Sequence, residues 1–288
     1  MLQIREFLLR LSLCPGLSPI SRWRIWKVAE NKRTFNNLSF LLENSGISLR
    51  AQNALLRKWD SYELKEKVQQ NMKQSFITIV DDEYPQQLGE IFCPPLVLFY
   101  QGDIEILKTQ CLAIVGSRQM TSYGAAILKG MLPTILKKKI TIVSGLAVGV
   151  DGMSHEITLQ NNGKTIGVVG CGLDQVYPRN HKGLQQAVSQ QGLVISEYGL
   201  GERPVAYHFP ERNRIIAGLA ETILVVEAKK RSGSLITANI ALEENRNVCA
   251  IPGRIDAPLS MGCNQLIAAG AKPITEVKDL LDEFLLED

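Results

Sequence analysis

The stretch Cys111-Leu112-Ala113-Ile114-Val115-Gly116-Ser117-Arg118 runs five apolar residues straight into a small-residue turn and a cation. A short continuous apolar run reads as a strand buried on both faces, and the glycine lets the backbone turn sharply at its end. The same signature recurs at residues 140–143, 165–169, 193–195, 222–226 and 248–251, with helical stretches of one to two dozen residues between. Strands alternating with helices in this way predict an α/β fold with a doubly wound, mostly parallel sheet. Upstream, residues 76–80 and 96–100 read as further strands, with Pro85, Pro94 and Pro95 marking an extended linker between them. A last helix is expected over 277–286, and no internal repeat is expected anywhere.

Residues 1–75 read as a separate, all-helical domain, and 76–288 as the second domain. Ile4, Phe7, Leu8 and Leu11 fall at helical spacing, and Pro15-Gly16 breaks that helix. Ser21 can cap the next, which carries Trp23, Ile25, Trp26 and Val28; further helices are expected over 35–42 and 48–59. Glycine-containing turns between helices contact DNA backbone in some small modules, but a lone glycine at a helix junction is usually a C-cap. The first 75 residues hold thirteen Lys/Arg against six Asp/Glu, on a chain whose formal net charge is only +3. A basic segment on a slightly acidic body fits a polyanion partner, and equally a solvated basic surface.

The six cysteines include no C-x-x-C pair and lie mostly in apolar runs. They read as reduced thiols of a cytoplasmic protein, not as a disulfide framework or zinc site. The apolar runs are too short to span a membrane.

In a doubly wound sheet the ligand lies beyond the carboxyl ends of the strands, so the loops there carry the function. They offer Gly116-Ser117-Arg118, then Ser144-Gly145-Leu146-Ala147-Val148-Gly149-Val150-Asp151, whose backbone N–H groups can cradle a phosphate. Gly170-Cys171-Gly172-Leu173-Asp174 follows, with Tyr177-Pro178-Arg179, and later Lys229-Lys230-Arg231-Ser232-Gly233-Ser234, where Ser232 or Ser234 can cap a helix over 235–244. Between them stands Phe209-Pro210-Glu211-Arg212-Asn213-Arg214. A helix start with two arginines, an amide and an aromatic plate suits an anion and a stacked base. The plainer alternative has Phe209 stapling the helix to the core and the arginines pairing with local carboxylates.

Other chemistries fit poorly. The first strand is followed by Gly116-Ser117-Arg118-Gln119-Met120-Thr121 where a dinucleotide site needs G-x-G-x-x-G. Gly163-Lys164-Thr165 has the tail of a P-loop, but Thr158 replaces its first glycine and the segment runs into a strand. His155-Glu156 begins a zinc motif that Leu159 ends. Asp151, Asp174 and Glu197 could form an acidic cluster, or cap helices and hold arginines.

Taken together, the ordered motifs resemble the DNA-processing protein A family (DprA, also called Smf). They are Gly116-Ser117-Arg118 with Tyr123-Gly124; Ser144-Gly145-x-Ala147-x-Gly149-x-Asp151 with His155; Thr165-Ile166-x-Val168-x-Gly170-x-Gly172-Leu173-Asp174 with Tyr177-Pro178; Ser196-Glu197-Tyr198; Phe209-Pro210-x-Arg212-Asn213-Arg214-Ile215-Ile216-Ala217-Gly218; and Ser232-Gly233-Ser234-Leu235-Ile236-Thr237-Ala238. The resemblance implies an extended Rossmann-like core behind a small sterile-alpha-motif-like helical domain. It implies no catalysis and no cofactor. The implied function is to bind and protect incoming single-stranded DNA in natural transformation and to help load the RecA recombinase onto it, as a homodimer. Arg118 stands at the family's main DNA-contacting arginine and Arg179 at a basic position after Tyr-Pro. Phe209 matches a stacking aromatic, with Arg212 and Arg214 the pair behind it, one of them potentially structural. Gly116, Ser117, Gly145, Asn213, Lys229, Ser232, Gly233 and Ser234 complete the expected DNA-binding set. Leu266 and Ile267 fall in the region of dimer and recombinase contact. The rival class is a nucleotide or nucleotide-sugar hydrolase on the same scaffold, using Glu197 or Asp174.

Overall fold

Capping side chains punctuate the first 75 residues. In the computed structural model, which describes residues 2–284, α1 (Leu2–Leu13) is followed by α2 (Pro19–Lys32), α3 (Leu38–Asn44), α4 (Leu49–Trp59) and α5 (Tyr62–Asn71). Ser18, Ser48 and Ser61 each accept the backbone N–H three residues on, and Asn37 does the same from Phe40. Each bond satisfies a donor that the helix itself leaves unpaired. Ser18, not the expected Ser21, caps α2, because Pro19 occupies the first helical position, where no N–H is needed.

The turns that join α1 to α2 and α3 to α4 lie thirty residues apart and have similar neighbours. Leu11 and Leu41, Gly16 and Gly46, Leu17 and Ile47, Ser18 and Ser48, and Ile25 and Leu55 are each thirty residues apart. Leu11, Leu41, Ile25 and Leu55 are all fully buried. Gly16 and Gly46 both take the left-handed conformation, with φ of +88° and +64°.

Nine strands form one sheet: β1 (Phe76–Thr78), β2 (Val97–Gly102), β3 (Cys111–Val115), β4 (Thr141–Ser144), β5 (Thr165–Val169), β6 (Leu193–Ser196), β7 (Thr222–Val225), β8 (Asn247–Ala250) and β9 (Lys272–Pro273). Their order is β1-β2-β6-β5-β4-β3-β7-β8-β9. Strands β3 to β9 pair in parallel, while β2 is antiparallel to β6 and β1 to β2. The expected mostly parallel α/β fold is the one found. A short helix, α6 (Gln86–Gly89), sits in the linker expected to be extended. The remaining helices are α7 (Ser122–Lys137), α8 (Val150–Gln160), α9 (Lys182–Gln191), α10 (His208–Leu219), α11 (Gly233–Glu243), α12 (Met261–Ala268) and α13 (Val277–Leu281). The end expected for α13, residues 285–286, lies outside the described residues.

Alternate strand residues feed opposite faces. Ala113, Val115, Val143, Val168 and Ile223 pack with Ile215 and Ile216 of α10 and Ala238 of α11. Leu112, Ile114, Ile142 and Leu224 pack with Leu128 and Ile135 of α7 and Ile157 of α8. A third cluster runs unbroken from Leu8, Leu11, Ile25 and Leu55 of the helical segment into Val97, Phe99, Val169 and Val194 of the sheet. Polar ties follow the same seam: Lys67 pairs with Glu202, and Asn71 Oδ1 accepts the Leu200 N–H at 2.9 Å. From β3 the chain winds outward through β4, β5 and β6, then returns to β7 on the other side of β3. That reversal opens a crevice between β3 and β7 at their carboxyl ends.

His155 lies on α8 and is fully buried; its Nδ1 meets the Thr165 hydroxyl at 2.7 Å. Burial lowers its pKa to about 3, against 6.5 for an ordinary histidine. The folded state thus refuses a proton that the unfolded chain accepts below pH 6.5. This contribution to stability is present above that pH and is lost as pH falls toward 3. By pH 5 about 2 kcal/mol is lost, at about 1.4 kcal/mol per unit. Denaturant unfolding across that range checks this: the loss between pH 7 and 5 is smaller by that amount in His155→Gln.

Candidate nucleic-acid interface

The crevice between β3 and β7 holds a cleft of about 490 Å³. Gly116, Ser117, Arg118, Phe209, Arg212, Asn213, Lys229, Ser232, Gly233 and Ser234 all line it. The topology thus brings ten of the expected site residues together from the loops after β3 and β7 and from the start of α10.

The loop after β3 is held from two sides. Glu227, buried at the end of β7, accepts both the backbone N–H of Thr121 at 2.8 Å and its hydroxyl. Val150 N–H donates to Ser117 C=O at 3.2 Å. Gly149 stands beside that contact with φ of +82°, and a Cβ there would lie 2.3 Å from the Ser117 oxygen. Only glycine fits, so the turn carrying Arg118 is fixed by backbone packing. Ser117 Oγ accepts from Gln119 N–H at 3.0 Å and tightens the turn further.

Arg118 itself is exposed, and its guanidinium lies 5.5 Å from the centre of the Phe209 ring. Phe209 is half-buried, and the exposed Tyr177 ring lies tilted beside it with ring centres 5.2 Å apart. A cation and two aromatic rings thus form a continuous shelf beside the cleft. Phe209 is placed by its neighbour His208, which stacks on Tyr198 at 3.8 Å and meets the Gly170 carbonyl through Nδ1 at 3.0 Å. Helix α10 begins at His208, so Pro210 stands within its first turn.

Lys229 is exposed on the opposite wall and donates to Gln119 Oε1 at 3.1 Å. Ser232 stands at the N-cap position of α11, but its hydroxyl caps nothing and is buried without a partner among the described residues. The first turn of α11 therefore meets the cleft with its N–H groups uncapped by any side chain, and the helix dipole adds positive character there.

Several expected residues serve the scaffold. Arg212 is 4% exposed and donates from Nη1 to the Val168 carbonyl at 2.5 Å, so it forms the cleft floor and is no free fork. Burial lowers its pKa, opposed by the nearby Asp151. Gly145 lies beneath it, where a Cβ would fall 2.0 Å from Arg212 Nη1. The Gly145 N–H donates to Asp151 Oδ2 at 3.2 Å, and Asp151 also takes the Ala147 N–H. The phosphate cradle expected from this loop is thus closed from within by its own carboxylate. Arg214 faces away from the cleft, bonded to both oxygens of Glu197 at 2.6 Å. Arg179 is exposed in a short turn before α9 and does not line the cleft. Asp174 accepts the Gly201 N–H at 3.1 Å, so all three candidate acids hold backbone or arginine. Leu266 is 8% exposed and packs into its own core, with Ile267 half-buried beside it.

Sequence reasoning did not single out Tyr177 or Glu227 for the site. Tyr177 was visible in the Tyr-Pro motif; the role of Glu227 rests on a contact 106 residues away, which leaves no local signal.

The model of the DNA recombination-mediator protein A family matches residues 75–285. The chain belongs to this family. The DNA processing protein DprA of Streptococcus pneumoniae is 50% identical over 207 residues, covering 72% of this chain and 73% of the relative. The X-ray structure of DprA from the same species superposes with a TM-score of 0.87 at 41% identity, covering 98% of this chain and 97% of that one. A structure describing the single-stranded DNA binding mode of DprA from Helicobacter pylori matches with a TM-score of 0.65 at 30% identity, over 74% of this chain and 96% of its own. Family membership places the chain in DNA processing for recombination. Among the described residues no helix is long and apolar enough to cross a membrane.

Proposed function

We propose that the cleft binds single-stranded DNA and that the chain acts as a recombination mediator without catalysing a reaction. The observation that carries this is the shelf of Arg118, Phe209 and Tyr177 facing the uncapped start of α11. Arg118, Lys229 and the α11 amides take successive phosphates, and the two rings stack bases. Every base has a stacking face and phosphates carry no sequence information, so binding tolerates any sequence. The single-stranded ligand of the Helicobacter pylori relative supports this reading.

A hydrolase on this scaffold would need Glu197 or Asp174 at a substrate, but Glu197 holds Arg214 and Asp174 holds a loop amide. The wider role in this reading is to protect incoming single strands in natural transformation, in the cytoplasm, and to help RecA recombinase onto them. A homodimer would form through the surface of α12 around Ile267, where Met261 is 37% exposed, and not through the buried Leu266.

Equilibrium binding of a labelled oligothymidylate across a salt series tests the cleft. With three phosphates neutralised, the slope of log affinity against log salt is about −2, at about −0.7 per phosphate on a single strand. A flat salt response would sink the reading.

A further inference from the structure

We infer that the two hairpin turns around Gly16 and Gly46, with Arg24, Arg50 and Lys58, form a second nucleic-acid site that grips the phosphate backbone of double-stranded DNA. This site is independent of the cleft.

Neither turn needs its glycine for space: nothing lies within 4 Å of a Cβ built at Gly16 or Gly46, among the described residues. Both glycines are exposed and positive in φ, so each turn presents bare backbone to solvent. Successive N–H groups in such a turn can meet an anion without interference from a side chain. A side chain links the first hairpin to the second turn. Arg24, on the helix that follows the first turn, donates from Nη1 to the Gly46 carbonyl of the second at 3.4 Å.

A cation stands near each turn. Arg50 stands in the first turn of α4, directly after the second hairpin turn. Lys58 lines a hollow of about 270 Å³ with Pro15 and Lys67, in which Glu63 is the one acid. Arg22 donates from Nη2 to the Cys14 carbonyl at 3.3 Å. Arg22, Lys58, Arg10 and Lys67 all lie near enough to the Cys14 thiol to oppose the effect of burial on it, while Glu197, Glu202 and Glu211 line a hollow on the other flank of the first turn. Arg10 and Lys67 have carboxylate partners, whereas Arg50 and Lys58 have none among the described residues.

Turn amides and lysines read no bases. A pair of turns locked together by a shared core is preorganised for phosphates at fixed spacing, which a duplex supplies and a flexible strand does not. The two turns give the helical segment two grips, which can engage the phosphates of two strands.

The test uses the full chain with a short labelled duplex and, separately, oligothymidylate. Arg50→Glu/Lys58→Glu should weaken duplex binding about tenfold and flatten its salt slope by roughly 2, at about 0.9 for each phosphate no longer neutralised. Oligothymidylate affinity should stay unchanged, and Arg118→Glu should give the reverse pattern. Wild-type protein that ignores duplex, or a double variant that binds duplex as wild type does, overturns the inference. So does an equal loss on both ligands with the thermal midpoint kept. If the charge reversal lowers that midpoint, Arg50→Gln/Lys58→Gln carries the same comparison. Loss of oligothymidylate binding in wild type would count against the cleft alone.

Discussion

Arg118→Ala is expected to weaken oligothymidylate binding roughly ten- to a hundredfold, since a hydrogen bond to a charged group contributes about 1.5–3 kcal/mol. Arg118 is the exposed cation at the cleft rim, on a turn held by Glu227 and Gly149, so its removal leaves the scaffold in place. The thermal midpoint should therefore stay near that of the wild type. Arg118→Lys keeps the charge but gives up the planar fork, and should recover only part of the affinity. Titration of a labelled strand against the three proteins decides it. Full affinity in Arg118→Ala would mean that the strand-end cleft is not where DNA binds.

Arg214→Met is expected to have the largest effect on stability. Glu197 is 4% exposed, and both of its oxygens are bonded to Arg214. Removing the arginine leaves a carboxylate buried without its partner, which costs about 3–5 kcal/mol. Glu197→Gln/Arg214→Met leaves no stranded charge and should lose much less than the single change. Urea unfolding of the two proteins measures the difference. If the single and double variants unfold alike, the pair is not what holds the loop after β6 against α10. In contrast to Arg118→Ala, any loss of DNA affinity here should track the loss of folded protein.

The contrast between these arginines shows what a sequence can reveal. The central strands are legible because continuous apolar runs ending in glycine have few other readings. The loops beyond their carboxyl ends followed from that topology, and ten of the expected residues meet in one cleft. What a side chain does inside a loop was not legible. Arg212 and Arg214 are alike in sequence, but one lies over Gly145 and reaches Val168, while the other reaches Glu197. Whether the amides of the loop after β4 are open or closed depends on Asp151, and its side-chain direction leaves no trace in spacing. The likeness of the two glycine turns was hard to read for a different reason: Cys14-Pro15-Gly16-Leu17-Ser18 and Asn44-Ser45-Gly46-Ile47-Ser48 share only the glycine and the serine, so the likeness lies in φ and burial more than in letters.

The apolar cluster that runs from α1 into the sheet gives the family boundary at residue 75 an unexpected meaning. It marks where the family model begins, but the apolar cluster runs across it without a break. Leu8 and Leu11 stand in the same interior as Phe99 and Val194, so the two parts share a stretch of core. A chain cut at that boundary would present water with half of a core, and its stickiness could pass for loss of function. By the same logic, a substitution deep in α1 can silence a DNA site it never touches, simply by drawing on a reserve of stability that both halves hold in common.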